Sequence, residues 1–119
     1  MHKSLPNTID YIEMPSRNLA KTKEFFAALF GWSFVDYGPD YAAFDDGRMT
    51  GGFFTSSKTV GLDAGAPLVV FYHGELEKME KKVVDLGGEV TKGIFEFPGG
   101  HRFHFLESGG GEFAIWSDK

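Results

Sequence analysis

Three side chains of this sequence have the chemistry for acid–base work: Glu13, His104 and Glu112. A histidine beside carboxylates can act as a general base near neutral pH, and the same groups can bind a divalent metal. Tyr11 and Arg102 could orient a substrate, since a guanidinium binds anionic groups through a fixed set of N–H donors. Which of these residues meet depends on the elements that carry them.

The C-terminal stretch 101–116 reads HRFHFLESGGGEFAIW and alternates apolar and polar residues on both sides of a glycine-rich break. This period of two predicts two antiparallel strands, and the glycines favour a hairpin turn with positive φ. Pairing Leu106 with Glu112 gives one wholly apolar face: Phe103, Phe105, Phe113 and Ile115. Because cross-strand partners share a face, the opposite face then carries Arg102, His104, Glu112, Ala114 and Trp116.

The remaining elements follow from hydrophobic periodicity and turn residues. The first half predicts a strand, a helix and three short strands, at residues 8–14, 18–30, 32–37, 41–46 and 49–55. The second half predicts a strand, a helix and a further strand or irregular strand pair, at residues 66–73, 76–86 and 89–97. We expect Pro15 to end the first strand, and Ser16 or Asn18 to cap the first helix.

A shift of 57 residues superposes the two halves of the chain. It places Leu19 on Leu76 and Gly31 on Gly88, and each half then reads strand, helix, strand, strand, strand. This indicates an internal repeat, although any two amphipathic helices that end in glycine would align in part. Inside the first half, the glycines of TGG at 50–52 indicate either a bend or the close approach of a ligand or another backbone.

Composition excludes several classes of protein. The net charge of -5 argues against non-specific nucleic-acid binding and against an anionic membrane surface. The absence of cysteine excludes disulfides, thiolate zinc sites and cysteine nucleophiles. No apolar run approaches the roughly 18 residues of a membrane span, and the first residues lack a signal-peptide core, so we expect a cytoplasmic protein.

Two stretches of the chain resemble the vicinal oxygen chelate superfamily, which includes glyoxalase I, bleomycin-resistance proteins and extradiol dioxygenases. They are IDYIEMPSRNLAKTKEFFAALFGW at 9–32 and GGHRFHFLESGGGEFAIWSD at 99–118. The resemblance implies an α+β fold in which two βαβββ modules pair into a curved, half-open mixed β-barrel. We expect a single domain, 1–119, made of module 1 at about 7–55, a linker at 56–66 and module 2 at about 67–118.

The resemblance also implies four metal-ligand positions, one each on the first and last strand of each module. They fall on Tyr11, Gly52 (with Gly51 as the alternative), Leu68 and Ala114. A phenol is a poor ligand at neutral pH, and the other three side chains offer no donor. We therefore expect no cofactor, unless a divalent metal binds a relocated site formed by Glu13, His104 and Glu112.

By the resemblance, Ala114 marks the concave face, which predicts a ligand-binding cavity lined by Tyr11, Glu13, Phe54, Arg102, His104, Glu112 and Trp116. His104 and Glu13 are the predicted catalytic residues. Alternatively, His104 is a strand histidine hydrogen-bonded to Glu112 or to backbone, and Glu13 is paired with Arg102 or Arg48.

Three functions are consistent with these residues. The first is a glyoxalase-like protein that binds a small molecule in the cavity, as a lyase or isomerase. The second is a non-catalytic protein that sequesters a drug or metabolite, as bleomycin-resistance proteins do, in an aromatic cavity to which Tyr72 also contributes. The third is a regulatory domain with a vestigial cavity. We expect a small-molecule ligand and a homodimer, with neither nucleic acid nor membrane as partner.

Overall fold

The computed structural model describes residues 3–119, so residues 1 and 2 of the predicted domain lie outside the described part. Module 1 consists of β1 (Tyr11–Ser16), α1 (Leu19–Phe30), β2 (Ser33–Asp36), β3 (Tyr41–Asp45) and β4 (Thr50–Thr55). Module 2 consists of β5 (Val69–Tyr72), α2 (Leu76–Asp85), β6 (Glu89–Phe97), β7 (Gly100–Leu106) and β8 (Glu112–Ser117). A single 3₁₀ turn, Leu62–Ala64, lies between the modules.

Each module forms one four-stranded mixed sheet with the same topology. Sheet 1 has the strand order β1-β4-β3-β2 and sheet 2 the order β5-β8-β7-β6. The first and last strands of each module are parallel neighbours, and the other pairs are antiparallel. The sheets do not close on each other, and the predicted α+β class of two βαβββ modules is confirmed. The predicted boundaries of domain, linker and modules stay predictions.

The prediction that Pro15 ends the first strand is wrong, because β1 continues to Ser16. β1 lies at an edge of sheet 1 and pairs only with β4, so the missing N–H of a proline is tolerated there. Helix α1 begins after Asn18, whose side-chain oxygen accepts a hydrogen bond from the backbone N–H of Lys21 at 3.1 Å. Asn18, rather than Ser16, is therefore the cap.

The predicted register of the C-terminal hairpin is confirmed. Leu106 pairs with Glu112, and the apolar face of β7 and β8 is fully buried. The turn between the strands includes Gly110, whose φ of 99° lies in the left-handed region that glycine adopts at no steric cost. This register fixes which side chains of sheet 2 point away from the core.

Helix α1 joins the two modules into one core. The ring of Phe26 contacts Phe53 on sheet 1, with ring centroids 5.7 Å apart. The same ring contacts Phe71 and Phe113 on sheet 2, at 5.8 and 5.2 Å. Each sheet therefore has an inner face on this shared core and an outer face that turns away from it. No helix within residues 3–119 is long and apolar enough to cross a membrane.

A buried carboxylate forms a second link between the modules. Glu107, only 2% exposed, accepts hydrogen bonds from the hydroxyl of Thr22 at 3.0 Å and from the backbone N–H groups of Gly109 and Gly111. Ser16 in turn donates to the Thr22 hydroxyl at 2.7 Å. The turn of module 2 is thus hydrogen-bonded to the start of α1 in module 1. Burial raises the pKa of Glu107, although these hydrogen bonds oppose the shift.

Candidate functional site

The predicted site residues of module 1 lie on the outer face of sheet 1. Along β1, Met14 and Ser16 are buried on the inner side, so the alternating residues Tyr11 and Glu13 point outward. On β4, Phe53 belongs to the core and Phe54 faces outward, 38% exposed. Tyr11 is 42% exposed. The structure therefore brings these three predicted residues onto one accessible surface.

Tyr41 on β3 completes this surface, although the sequence analysis did not identify it as a site residue. Its hydroxyl lies 2.6 Å from the hydroxyl of Tyr11 and donates a hydrogen bond to Oε2 of Glu13 at 2.8 Å. The phenol is partly buried, and its backbone is the cross-strand partner of Phe54. We call Tyr11, Glu13, Tyr41 and Phe54 the tyrosine surface.

The tyrosine surface keeps Tyr41 protonated. Burial raises the pKa of Tyr41 well above its ordinary value of 10.0, and the hydrogen bonds to Tyr11 and Glu13 raise it further. Ionising this phenol would place a second negative charge beside the carboxylate. Tyr41 is therefore a hydrogen-bond donor to Glu13 and not a base.

The side chains at the implied metal-ligand positions do not fit a metal ion. Leu68 and Ala114 carry no donor atom, and Gly52 has no side chain. The place of a side chain at Gly52 is filled, because a Cβ there would lie 2.0 Å from the hydroxyl oxygen of Tyr41. Among residues 3–119, no group of three or more His, Asp or Glu side chains could hold a metal ion. We therefore derive no chemical step through a metal.

His104 and Arg102 form the polar centre of the outer face of sheet 2. His104 is 8% exposed, and its Nε2 accepts N–H groups from Arg102 at 2.9 and 3.2 Å. Since arginine can only donate, the neutral imidazole carries its proton on Nδ1. Burial lowers the pKa of His104 below 6.5, and the charge of Arg102 lowers it further. Within residues 3–119, the side chain of His104 is thus hydrogen-bonded to Arg102 and to neither Glu112 nor backbone.

Aromatic rings surround this polar centre. The guanidinium of Arg102 lies 5.7 Å from the ring centroid of Phe95 and 5.6 Å from that of Phe97. Trp116 contacts Tyr72 with ring centroids 5.1 Å apart. A groove of about 570 Å³ adjoins Trp116 and Tyr72, a volume typical of small-molecule sites. A groove of similar size at the start of α2 includes none of the predicted site residues.

Glu112 has a structural partner in the linker. Its Oε1 accepts the backbone N–H of Leu62 at 2.8 Å, where the 3₁₀ turn begins. Glu13 accepts from Tyr41, and no ion pair joins it to Arg102 or Arg48 in the described part of the chain.

The predicted cavity residues thus form two groups within one chain. Tyr11, Glu13 and Phe54 lie on sheet 1, whereas Arg102, His104, Glu112 and Trp116 lie on sheet 2. Within the described residues 3–119, no hydrogen bond or salt bridge joins Glu13 to His104 or to Glu112. The catalytic pair and the single cavity therefore stay predictions.

One protein-family model matches most of the chain. The sequence model of the Glyoxalase/Bleomycin resistance protein/Dioxygenase superfamily matches residues 8–115. A comparison with curated protein sequences found no match.

Solved structures share the fold at low sequence identity. A glyoxalase/bleomycin resistance protein/dioxygenase family enzyme from Burkholderia phytofirmans PsJN is 15% identical, with a TM-score of 0.76 over 92% of this chain and 98% of that one. The fosfomycin resistance protein FosX of Listeria monocytogenes, a mutant complexed with Mn(II) and 1S,2S-dihydroxypropylphosphonic acid, is 14% identical, with a TM-score of 0.76 over 93% and 90%. A lactoylglutathione lyase from Agrobacterium tumefaciens is 17% identical, with a TM-score of 0.69 over 96% of both chains.

Proposed function

This chain belongs to the Glyoxalase/Bleomycin resistance protein/Dioxygenase superfamily, and on that premise we propose that it binds and sequesters a small organic molecule without a metal. The ligand rests on the tyrosine surface, where it meets hydroxyl and carboxylate oxygens beside aromatic rings. Hydrogen bonds and apolar contacts hold the ligand in place of metal chelation.

The observation that carries the proposal is the position of the Tyr41 hydroxyl. It fills the space of a side chain at Gly52 and is hydrogen-bonded to both Tyr11 and Glu13. A glycine inside a strand accommodates this close approach, which a larger residue would obstruct. The implied metal-ligand position at Gly52 therefore belongs to the surface that binds the organic molecule.

Binding without turnover is favoured over a lyase or isomerase. A general base needs a lone pair within reach of the substrate. The lone pair of His104 Nε2 already accepts two N–H groups of Arg102. Glu13, the other predicted catalytic residue, is on a different sheet and is hydrogen-bonded to Tyr41. These contacts support recognition more than proton transfer.

We further propose that the site is completed in a homodimer. Helices α1 and α2 already cover the inner faces of sheets 1 and 2, so the outer faces remain available to a second copy. Pairing sheet 1 of one copy with sheet 2 of another would place all the predicted cavity residues around one space. Light scattering should give twice the chain mass of 13.2 kDa.

The first test is elemental analysis of protein purified without chelator or His-tag, followed by melting curves with Ni²⁺, Zn²⁺, Mn²⁺ and Fe²⁺. We expect no tightly bound metal and no rise in Tm. A panel of anionic, neutral and cationic aromatic compounds then follows. A ligand present at 100 times its Kd adds about 2.7 kcal/mol of stability, which raises Tm by roughly 10 °C in a domain of this size.

Two results would overturn the proposal. One metal ion per chain, lost in His104→Ala, would establish the relocated metal site instead. A panel in which no compound shifts Tm would exclude the tyrosine surface as a small-molecule site.

A further inference from the structure

The tyrosine surface has a fixed order of hydrogen-bond donors. A carboxylate only accepts, so Tyr41 must use its single proton in the 2.8 Å bond to Glu13. The 2.6 Å bond between the two phenols then requires Tyr11 to donate to Tyr41. The proton of each hydroxyl is committed along the series from Tyr11 to Tyr41 to Glu13.

This order leaves only acceptors for a ligand. The oxygen of Tyr11 keeps its lone pairs but has no free proton, and Oε1 of Glu13 is a second acceptor. Both side chains are exposed on sheet 1. Within residues 3–119, no lysine or arginine forms an ion pair with Glu13. A ligand group that binds here must donate hydrogen bonds, and a positive charge on it would complement the carboxylate.

The aromatic rings of the same surface favour the same kind of group. Phe54 is 38% exposed beside Tyr41, and the ring of Tyr11 is 42% exposed. Aromatic faces attract cations and also cover the apolar part of a ligand. An anionic group would meet the lone pairs of Tyr11 and Glu13 and the aromatic faces, so these side chains disfavour it.

We infer that the tyrosine surface binds an aryl- or alkyl-ammonium compound, whose primary or secondary ammonium group donates to the oxygens of Tyr11 and Glu13. This inference rests on the proposed function and names the class of its ligand. The outer face of sheet 2 has the opposite character, with Arg102 and Lys92 over aromatic rings. A ligand that spans both faces would therefore direct its ammonium group toward sheet 1.

Three probes with one aromatic body test the inference. They are 2-naphthylmethylammonium, its N,N,N-trimethyl analogue, which keeps the charge without an N–H donor, and 2-naphthoate, which carries the opposite charge. Affinities are measured by titration calorimetry on the full chain. We expect the primary ammonium to bind at least about tenfold more tightly than either of the others, since a hydrogen bond to a charged group is worth that much.

Variants locate the binding group. Tyr11→Phe keeps the ring and removes the acceptor, and Glu13→Gln removes the charge; each should weaken binding of the primary ammonium about tenfold or more. Tyr37→Phe is the matched control, because it keeps the ring that contacts Tyr41 and removes only a hydroxyl outside the hydrogen-bonded series. Tyr37→Phe should bind the primary ammonium with the same affinity as the unaltered chain. Cooperative melting curves verify that the variants are folded.

The outcomes separate this inference from the proposed function. If the naphthoate binds as tightly as the ammonium, or Tyr11→Phe leaves the ammonium affinity unchanged, the ligand class is wrong while small-molecule binding still holds. If neither the probes nor the wider panel bind, both are overturned. Selective loss of ammonium binding in Tyr11→Phe and Glu13→Gln, with Tyr37→Phe unaffected, supports the inference.

Discussion

Replacing Gly52 by alanine tests directly whether the Tyr41 hydroxyl fills the side-chain space on the outer face of sheet 1. The added methyl group would lie 2.0 Å from that oxygen and 3.0 Å from the hydroxyl oxygen of Tyr11. Because two atoms that are not bonded cannot lie 2.0 Å apart, Tyr41 must move and lose its hydrogen bonds to Tyr11 and Glu13. We therefore expect Gly52→Ala to destabilise the fold through Tyr41 and not through the backbone.

The magnitude follows from the contacts that are lost. Two partly exposed hydrogen bonds, one of them to a carboxylate, contribute about 2 kcal/mol together. Alanine also reduces the conformational entropy of the unfolded chain, which offsets about 0.5 kcal/mol. The net destabilisation by Gly52→Ala is then about 1.5 kcal/mol. In a Tyr41→Ala background the obstruction is absent, and the same change should stabilise the fold by about 0.5 kcal/mol. The coupling between the two changes is thus about 2 kcal/mol.

A double-mutant cycle measures this coupling by urea denaturation at fixed protein concentration, followed by intrinsic tryptophan fluorescence. Gly93→Ala is the matched control, because a Cβ at this β6 glycine would come no closer than 3.8 Å to another side chain. Its effect should be small and equal in both backgrounds. If Gly52→Ala costs the same with and without Tyr41, within about 0.5 kcal/mol, then the hydroxyl does not occupy that space.

Four further predictions concern single side chains. Glu107→Ala should lower the free energy of unfolding by about 3 kcal/mol, because it leaves buried donors without an acceptor. Because burial raises the pKa of Glu107 above 4.5, the folded state binds its proton more readily than the unfolded chain. Relative to Glu107→Gln, the unaltered chain should therefore lose stability as pH rises through that raised pKa, and parallel pH profiles in urea unfolding would contradict this. Arg102→Gln should raise the pKa of His104, measured by NMR titration, while burial keeps it below 6.5; an unchanged pKa would exclude Arg102 as a cause. Asn18→Ala should cost about 1 kcal/mol in thermal unfolding, since it removes the cap of α1, and no change in Tm would show that the cap contributes nothing.

Much of the fold could be predicted because it depends on local patterns. The alternation around residues 101–116 identified both strands and their register, since a slip of one residue would have moved four aromatic or aliphatic side chains out of the core. The repeat of element order identified two modules. The error at Pro15 arose because the position of β1 at a sheet edge is not a local property.

The candidate site was predicted only in part. The resemblance predicted Tyr11, Glu13 and Phe54 as cavity residues, but Tyr41 was not among the predicted site residues. The glycines of TGG at 50–52 indicated either a bend or the close approach of a ligand or another backbone. The group that approaches Gly52 is instead a side chain, the hydroxyl of Tyr41.

The sequence by itself determined the order of the elements and the faces that each strand presents, because side-chain alternation is a property of consecutive residues. Only the tertiary structure decided which faces and side chains meet. The strand order of sheet 1 brings Tyr41 to Glu13 across 28 residues of chain, and the hairpin turn carries Glu107 to Thr22 across 85. The division into two sheets places Glu13 on β1 and His104 on β7 within one chain. Such contacts depend on how strands are ordered and on how far a side chain reaches over a glycine, and neither is encoded in a local pattern.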